Sequence, residues 1–304
     1  MTNDFKPYQK GSAFNISKDE YAVKKKAEKE MFYQMIDNTA KEVVNDPNKF
    51  KEFLDTQSRM DRYSAVNALL IYAQNKEASQ LKDFDDWSKE KVKINKGAKS
   101  IGILEPMEFI KRDGTNGISY NVKRVFDVSQ TSGKKQPAIS LNKDPRDLIT
   151  TMLDSSPVAT ESTNELPYPG TAAYYNNDEQ TLYVKRDVGD SVKICQNIAR
   201  ELAYAELSIN SDGYSRSDSG FAATCIGYML CKKYGVDTQS FAIDRIPDSL
   251  KNAEAKDIRQ ELTKIRNSMS EIHSRINDEL YKQKQSRNKD YERLLKLWEK
   301  KNIK

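Results

Sequence analysis

Apolar residues in the first quarter of the chain recur at the three- and four-residue spacing of amphipathic helices. We interpret residues 1–18 as a flexible arm and predict a charged helix over Asp19–Lys51. A second apolar cluster begins at Phe50. Ser64–Asn75 is predicted to be a further helix, because its apolar residues lie on one face and its first residue is a good N-cap.

After Trp87 the pattern changes to the alternation of polar and apolar residues that is typical of strands. Lys91–Ile94 alternates, Asn95–Gly97 offers a turn, and Ser100–Leu104 reads as the next strand, so we predict a hairpin here. Glu108–Lys111 and Ser119–Val128 are predicted to continue the sheet around Asp113-Gly114. Residues 19–130 are therefore predicted to form one domain of helices followed by a small antiparallel sheet.

The second half of the chain predicts a linker and another mixed domain. Residues 131–165 are rich in loop-forming residues around one short helix, Pro145–Leu153, and are taken as the linker. Residues 166–248 are predicted to form the second domain. Its expected elements are the strands Thr171–Tyr175 and Thr181–Val184, followed by the helices Ser191–Leu207 and Ser219–Tyr234. This order predicts an α+β fold class.

A charged helical tail is predicted over residues 249–304. Seven apolar residues there follow a heptad-like spacing, which indicates a continuous seam. They are Ile258, Leu262, Ile265, Met269, Ile272, Ile276 and Leu280. The seam over residues 258–280 is compatible with self-association or a protein partner, with folding back onto the same chain, or with a solvated extension.

Composition and charge narrow the function only slightly. Hydrophobic residues make up 37% and charged residues 31%, as in a soluble globular protein. The absence of an 18-residue apolar run argues against a membrane span, and the N-terminus lacks a signal core, so we expect a cytoplasmic protein with three reduced cysteines. Residues 251–304 contain 15 basic and 9 acidic residues, so the remaining 250 carry −1 of the total +5. Any nucleic-acid surface outside the tail must therefore be local.

The segment Ile198–Ala205 contains Arg200-Glu201-Leu202-Ala203-Tyr204. It resembles the zinc-binding helix of the zincin metallopeptidases related to ImmA/IrrE, in which two histidines of an HExxH motif hold zinc and the glutamate polarises water. Here Arg200 and Tyr204 occupy the histidine positions. The next helix of that family supplies a glutamate, but 221–228 contains no carboxylate, and Ala222 marks the degenerate third position.

Because a guanidinium has no free lone pair, the resemblance implies a peptidase-like domain without zinc, other cofactors or catalytic residues. We expect Arg200 to supply positive charge beside a carboxylate in place of the metal. An ordinary amphipathic helix would explain the same octet. The single histidine, His273, is predicted to be a surface residue of the tail.

Four phrases, in order, carry a second resemblance: Arg62–Ile71, Trp87, Val92–Pro106 and Val125–Thr131. Their succession resembles the N-terminal domain of the ArdC family of plasmid antirestriction proteins, which precedes a zincin-like domain. The combined match covers roughly residues 45–245. The resemblance implies binding of single-stranded DNA and protection of an entering element from host restriction. Candidate DNA-binding residues are Arg62, Tyr63, Asn67, Trp87, Lys91, Lys93, Lys96 and Lys99.

Other interpretations of these residues remain open. Trp87 is flanked by acidic residues and is favoured as a core anchor. Asn67 is compatible with a helix cap or an internal hydrogen-bond partner, and the lysines are compatible with a solvated face or with protection of a sheet edge. The sequence favours a non-catalytic, single-stranded-DNA-binding, antirestriction-type protein of a plasmid, conjugative element or phage. The alternative is a protein-interaction or assembly module that uses the pseudo-peptidase fold and the heptad helix.

Overall fold

The computed structural model describes residues 17–111, 113–132 and 143–302, without the side chains of residues 18, 287, 288 and 290–302. Residues 1–16 of the proposed arm and residues 133–142 of the predicted linker therefore lie outside the described residues, whereas Ser17 caps the first helix and Lys18 begins it. Two compact units are present. The described part of the first comprises residues 17–132 and Asp244–Thr263, and that of the second comprises residues from 143 to 243 and from Lys264 onwards. Helices and small sheets occur in both, so the fold is α+β.

The first unit is built largely of helices. They are α1 (Lys18–Val44), α2 (Pro47–Arg59), α3 (Ala65–Asn75), α4 (Phe84–Lys89) and α8 (Asp248–Lys251), with the first turns of α9 (Ala255–Asn302). The single helix predicted over Asp19–Lys51 was wrong. The chain breaks after α1 because the Asp46 side chain accepts hydrogen bonds from Asn48 N and Lys49 N, and Pro47 suits a first helical position. Ser64 caps α3 as predicted, by accepting from Asn67 N.

Two small antiparallel arrangements of strands complete the first unit. β1 (Leu81–Lys82), β3 (Ile101–Ile110) and β4 (Asn116–Asp127) form a sheet in the order β1-β4-β3. β2 (Lys93–Ile94) pairs instead with β5 (Thr131–Ser132), so the hairpin predicted over residues 91–104 was wrong. The hairpin around Asp113-Gly114 is confirmed, with Ile110 opposite Asn116 at its end. The turn residues at 95–97 indicate only local pairing, so they could not show that β2 pairs with a strand distant in sequence.

The second unit contains one helix before a three-stranded sheet and two helices after it. These are α5 (Pro145–Asp154), β6 (Ala159–Thr163), β7 (Ala173–Asn176), β8 (Thr181–Lys185), α6 (Ser191–Ile209) and α7 (Gly220–Tyr234). The sheet order is β6-β8-β7, with β6 parallel and β7 antiparallel to β8. β6 was taken as linker because its polar, mostly exposed residues give no apolar alternation.

Helices α6 and α7 pack closely, and one glycine allows it. A Cβ atom at Gly227 would lie 3.1 Å from the backbone N and Cα atoms of Arg200 and 3.0 Å from Phe241. Gly220 lies further along the same contact, where its Cβ position is 3.4 Å from the Tyr204 hydroxyl. Residues 200 and 204 of α6 therefore face α7, and the loop between the two helices returns beside them.

The tail is a single helix, α9 (Ala255–Asn302). Six residues of the predicted seam, from Ile258 to Ile276, are buried within the chain, so they do not present an apolar surface to a second copy in this conformation. His273 is also buried, and its prediction as a surface residue was wrong. Its Nδ1 atom lies 2.7 Å from the Tyr234 hydroxyl and its Nε2 atom 2.9 Å from Asn277 Nδ2. Within the described part of the chain, every helix is too short or too polar to cross a bilayer.

Candidate functional site

Four of the predicted DNA-binding lysines lie on the segment between α4 and β3. Lys91, Lys93, Lys96 and Lys99 are exposed, and none forms a salt bridge with another described residue. Lys91 has a left-handed backbone (φ 59°) directly after α4, and Gly97 supplies a second positive φ of 82° in the loop. The segment therefore presents cationic side chains to solvent without internal carboxylate partners in this part of the structure.

Trp87 lies inside the first unit and is 2% exposed. Its indole nitrogen donates a hydrogen bond of 2.9 Å to the Phe126 carbonyl oxygen, and Lys82 Nζ lies 4.9 Å from the ring centroid. The ring is therefore enclosed between α4 and the sheet and offers no open face for a base to stack on.

Asn67 is occupied by the backbone of β3. Its amide nitrogen donates to the Leu104 carbonyl oxygen at 2.9 Å, and its oxygen accepts from Leu104 N at 2.8 Å. Gln74, two helical turns later, makes the same pair of contacts with Gly102 at 2.9 and 2.8 Å. The two side-chain amides therefore supply hydrogen-bond partners for the backbone of Gly102 and Leu104, on the edge of β3 that does not pair with β4. Asn67 thus joins α3 to the sheet.

Tyr63 and Asn67 border a cavity of about 290 Å³ in the first unit. Asp83, Asp86 and Glu105 also line it, against Lys82 and Lys123, so a phosphate there would meet an excess of carboxylates. Tyr63 is half-buried, and burial raises the pKa of its hydroxyl. Arg62 lies in the exposed turn before α3. The structure does not bring these residues together with the lysines of residues 91–99 around this cavity.

In the second unit, Glu201 is 1% exposed and is fully engaged. Arg216 Nη2, from the loop between α6 and α7, lies 2.8 Å and 2.7 Å from the two carboxylate oxygens. Tyr175 N, on edge strand β7, donates to Glu201 Oε2 at 2.9 Å, and the Tyr175 carbonyl oxygen accepts from Arg216 Nη1 at 3.3 Å. One backbone residue of β7 therefore contacts both members of the ion pair.

Three tyrosine rings surround the Arg216 guanidinium. Its central carbon lies 3.9 Å from the Tyr204 centroid, 4.8 Å from that of Tyr174 and 6.0 Å from that of Tyr168. Such distances allow cation–π attraction, which strengthens when the cation is desolvated. The guanidinium thus combines an ion pair with an aromatic enclosure.

Arg200 lies beside a carboxylate, as expected from the sequence, but a second arginine, Arg216, makes the closer ion pair with Glu201. Arg200 Nε lies 3.8 Å from Glu201 Oε1, whereas Arg216 lies within 2.8 Å of both oxygens. Arg216 follows a turn rich in serine and aspartate, where no periodic signal marks a buried partner. Tyr204 contacts the guanidinium through its ring face, and Ala222 is buried on α7. Arg200, Tyr204 and Ala222 therefore lack the imidazole and carboxylate groups that hold zinc in a zincin.

A match to a known family covers most of the first unit. Residues 25–141 match the model of the N-terminal domain of anti-restriction factor ArdC. Over these residues the chain is similar to that domain. The matched range includes the segment Lys91–Lys99 and strands β1 to β5.

Two solved structures are similar to this chain, and both are antirestriction ArdC from the R388 plasmid. The metal-free structure has 15% identity and a TM-score of 0.48, and covers 71% of this chain and 86% of its own. The Mn(II)-bound structure has 14% identity and a TM-score of 0.49, with coverages of 70% and 85%. No curated protein matched the chain.

Burial dominates the electrostatics around Glu201. Burial raises the pKa of the Glu201 carboxyl above its usual value, although the Arg216 charge acts in the opposite direction. Burial also raises the pKa of Tyr204, and it raises that of Tyr214 to about 12, so both phenols are neutral near pH 7. Within the described residues, no group of three or more His, Cys, Asp and Glu side chains is arranged to hold a metal ion.

Proposed function

We propose that this protein is a non-catalytic antirestriction protein that binds single-stranded DNA through its first unit. The observation that carries the proposal is the set of four exposed lysines between α4 and β3, Lys91, Lys93, Lys96 and Lys99, in a domain that matches the ArdC N-terminal family. Lysines without carboxylate partners can neutralise phosphates and release counterions, which supplies much of the affinity for nucleic acid.

The lack of peptidase activity is proposed on the chemistry of the second unit. In a zincin, the glutamate must reach a metal-bound water. Here both carboxylate oxygens of Glu201 contact Arg216, and Tyr204 packs against the same guanidinium. The half-buried Arg216 occupies the carboxylate and repels a divalent cation. We therefore assign the second unit a binding or scaffolding role instead of hydrolysis.

Fluorescence anisotropy with a labelled oligothymidine at low salt tests DNA binding. We expect the triple variant Lys93→Glu, Lys96→Glu, Lys99→Glu to bind at least about tenfold more weakly than the wild type. Its slope of log affinity against log salt should fall by about 2, since each phosphate contact with a single strand contributes roughly 0.7. Wild-type protein that fails to bind the oligonucleotide at low salt would remove DNA from the function.

The matched control is Lys185→Glu, Lys193→Glu, Lys256→Glu, which changes three other exposed lysines and carries the same net charge. Equal losses in the two triple variants would show that total charge, not the segment 91–99, governs affinity. In cells, expression of the protein should raise the entry of unmodified plasmid into a restricting host. The triple variant in the first unit should reduce that protection.

A further inference from the structure

The surface that could stack bases differs from the one that the sequence suggests. Trp87 is enclosed, Tyr63 is half-buried, and the Tyr72 hydroxyl donates to Glu52 at 3.1 Å while its ring packs edge-on against Phe53. In contrast, Tyr21 on α1 is 58% exposed and Tyr120 on β4 is 40% exposed. Open aromatic faces in the first unit therefore occur on α1, on the β3–β4 hairpin and at Phe84 of α4, which is 62% exposed.

Tyr21 and Tyr120 line the same groove, whose volume is about 590 Å³. Helix α1 forms one wall, with Lys25, Lys26 and Lys29 beside Tyr21. Strand β4 forms the other wall. Lys29 Nζ bridges the two walls at one end, where it donates to Ser119 Oγ at 3.3 Å. The α1–β4 groove is defined by these lining residues of α1 and by residues 120–122 of β4.

Helical spacing places the cations and rings of α1 in one line. Tyr21, Lys25, Lys29 and Tyr33 follow one another at intervals of four residues and so share a face of the helix. Lys25 Nζ lies 6.0 Å from the Tyr21 centroid and Lys29 Nζ lies 5.9 Å from the Tyr33 centroid. The line from residue 21 to residue 33 is about 18 Å long, which is the span of roughly five stacked nucleotides.

The groove carries an excess of positive charge. Its single acidic lining residue, Glu28, accepts from Lys25 at 3.0 Å and also pairs with Arg124, which lies 5.3 Å from the Phe32 centroid. Burial raises the pKa of the Glu28 carboxyl, but the hydrogen bonds and charges of Lys25 and Arg124 together outweigh burial and lower the pKa from its usual value. Glu28 is therefore ionised, and because Lys25, Lys26 and Lys29 line the groove with it, the groove keeps a net positive charge that attracts an anionic backbone.

We propose that the α1–β4 groove binds a single strand of DNA, with bases stacked on Tyr21 and Tyr120 and phosphates contacted by Lys25, Lys26 and Lys29. The inference rests on the proposed function and names the surface that performs it. Alternating cations and exposed aromatic rings are the combination by which proteins bind single strands without sequence preference. A duplex fits less well, because its bases are already stacked on each other and present edges instead of faces.

The lysines of residues 91–99 do not line this groove. These lysines instead contact DNA phosphates outside the groove. They contribute electrostatic attraction alone, whereas the groove also contributes base stacking. The two surfaces should therefore respond differently to salt. Loss of a stacked ring weakens binding at every salt concentration, while loss of a phosphate contact also reduces the salt slope.

The experiment measures anisotropy of labelled oligothymidine with the full chain. We expect Tyr21→Ala and Tyr120→Ala each to weaken binding by about tenfold, within the range that one stacked base contributes, with the salt slope unchanged. Tyr21→Phe and Tyr120→Phe keep an aromatic face and should bind like the wild type. Phe84→Ala removes an exposed ring of the same unit that does not line the groove, and it should leave affinity within twofold.

A second series replaces charge. Lys25→Ala, Lys26→Ala and Lys29→Ala together should lower the salt slope by about 2, from roughly 0.7 per phosphate. A polyglutamate chain of matched charge serves as the alternative anion. It should bind at least tenfold more weakly than the oligonucleotide and should not respond to loss of either tyrosine. Thermal melts of each variant confirm that the first unit is folded at the temperature of the titration.

The outcomes separate the groove from the function. If the wild type does not bind the oligonucleotide, both the proposed function and this inference fall. If the wild type binds but the tyrosine-to-alanine variants bind equally well, the groove is not the stacking surface, and the function stands without it. Equal affinity for polyglutamate, insensitive to the tyrosines, would instead mark a surface for acidic protein segments.

Discussion

Arg216 Nη2 lies 2.8 Å and 2.7 Å from the two carboxylate oxygens of Glu201, and it joins a loop residue to the interior of α6. The carboxylate is 1% exposed and the arginine side chain 25% exposed. The Arg216 charge compensates part of the cost of burying the Glu201 carboxylate. Removal of Arg216 alone would therefore leave a buried carboxylate without its counter-charge. The pair therefore links the loop between α6 and α7 to α6.

We expect Arg216→Ala to lower the free energy of unfolding by about 3 kcal/mol, because it leaves the Glu201 carboxylate buried without its cation. The double variant Glu201→Gln, Arg216→Ala should recover part of that loss, because a neutral amide tolerates burial better than a lone charge. Urea denaturation of the wild type, both single variants and the double variant measures the coupling. Additive effects of the two substitutions would contradict the pairing.

Trp87 should be insensitive to nucleic acid. In a Trp298→Phe background, Trp87 is the sole tryptophan, and its enclosed indole should emit at short wavelength. Addition of saturating oligothymidine should leave that emission unchanged, since no base can reach the ring in this conformation. Strong quenching that follows the binding curve would mean that Trp87 stacks on DNA and that the first unit opens to allow it.

Asn67 should behave as a structural residue. Its amide makes two hydrogen bonds with Leu104, which is buried, so Asn67→Ala should lower the free energy of unfolding by about 1–3 kcal/mol. Gln74→Ala removes the equivalent contacts with Gly102 and serves as the matched variant. At a temperature where both variants are folded, oligonucleotide affinity should stay within twofold. A tenfold loss confined to Asn67→Ala would instead make it a DNA contact.

The ionisation of Asp127 should make the free energy of unfolding depend on pH in the acid range. Burial alone would raise the pKa of its carboxyl, but hydrogen bonds from Ser129, Ser79 and Gln80 outweigh burial and hold the pKa below its usual value. A lowered pKa in the folded state favours the native protein above the unfolded value of about 3.9, and this contribution disappears as pH falls through the folded value.

Denaturation curves of the wild type and of Asp127→Asn as pH is lowered through this window test the effect. The asparagine variant should be less stable at pH 7 by about 2 kcal/mol, because it loses charge-assisted hydrogen bonds, and its stability should fall less steeply in acid. Asp212→Asn changes an exposed carboxylate and controls for net charge. Parallel pH profiles for Asp127→Asn and the wild type would contradict this role for Asp127.

The sequence alone determined those features that depend on local pattern. The helical spacing and cap of Ser64–Asn75, the turn at Asp113-Gly114 and the strand–helix order of the second unit all follow from short-range periodicity, and the structure has each of them. The succession of phrases between residues 62 and 131 also indicated the ArdC N-terminal domain, which the family match supports. The inability of Arg200 and Tyr204 to replace zinc-binding histidines could be inferred from the sequence, because it depends on residue type alone.

Tertiary structure decided every feature that depends on residues distant in sequence. It paired β2 with β5, placed Trp87 and His273 in the interior, and turned Asn67 toward Leu104. It also brought Arg216 to Glu201 and set Tyr120 beside Tyr21 across the α1–β4 groove. A polar residue in a turn or on an edge strand has no periodicity that records its partner. Its role is set by which surface folds against it, and only the packed chain supplies that.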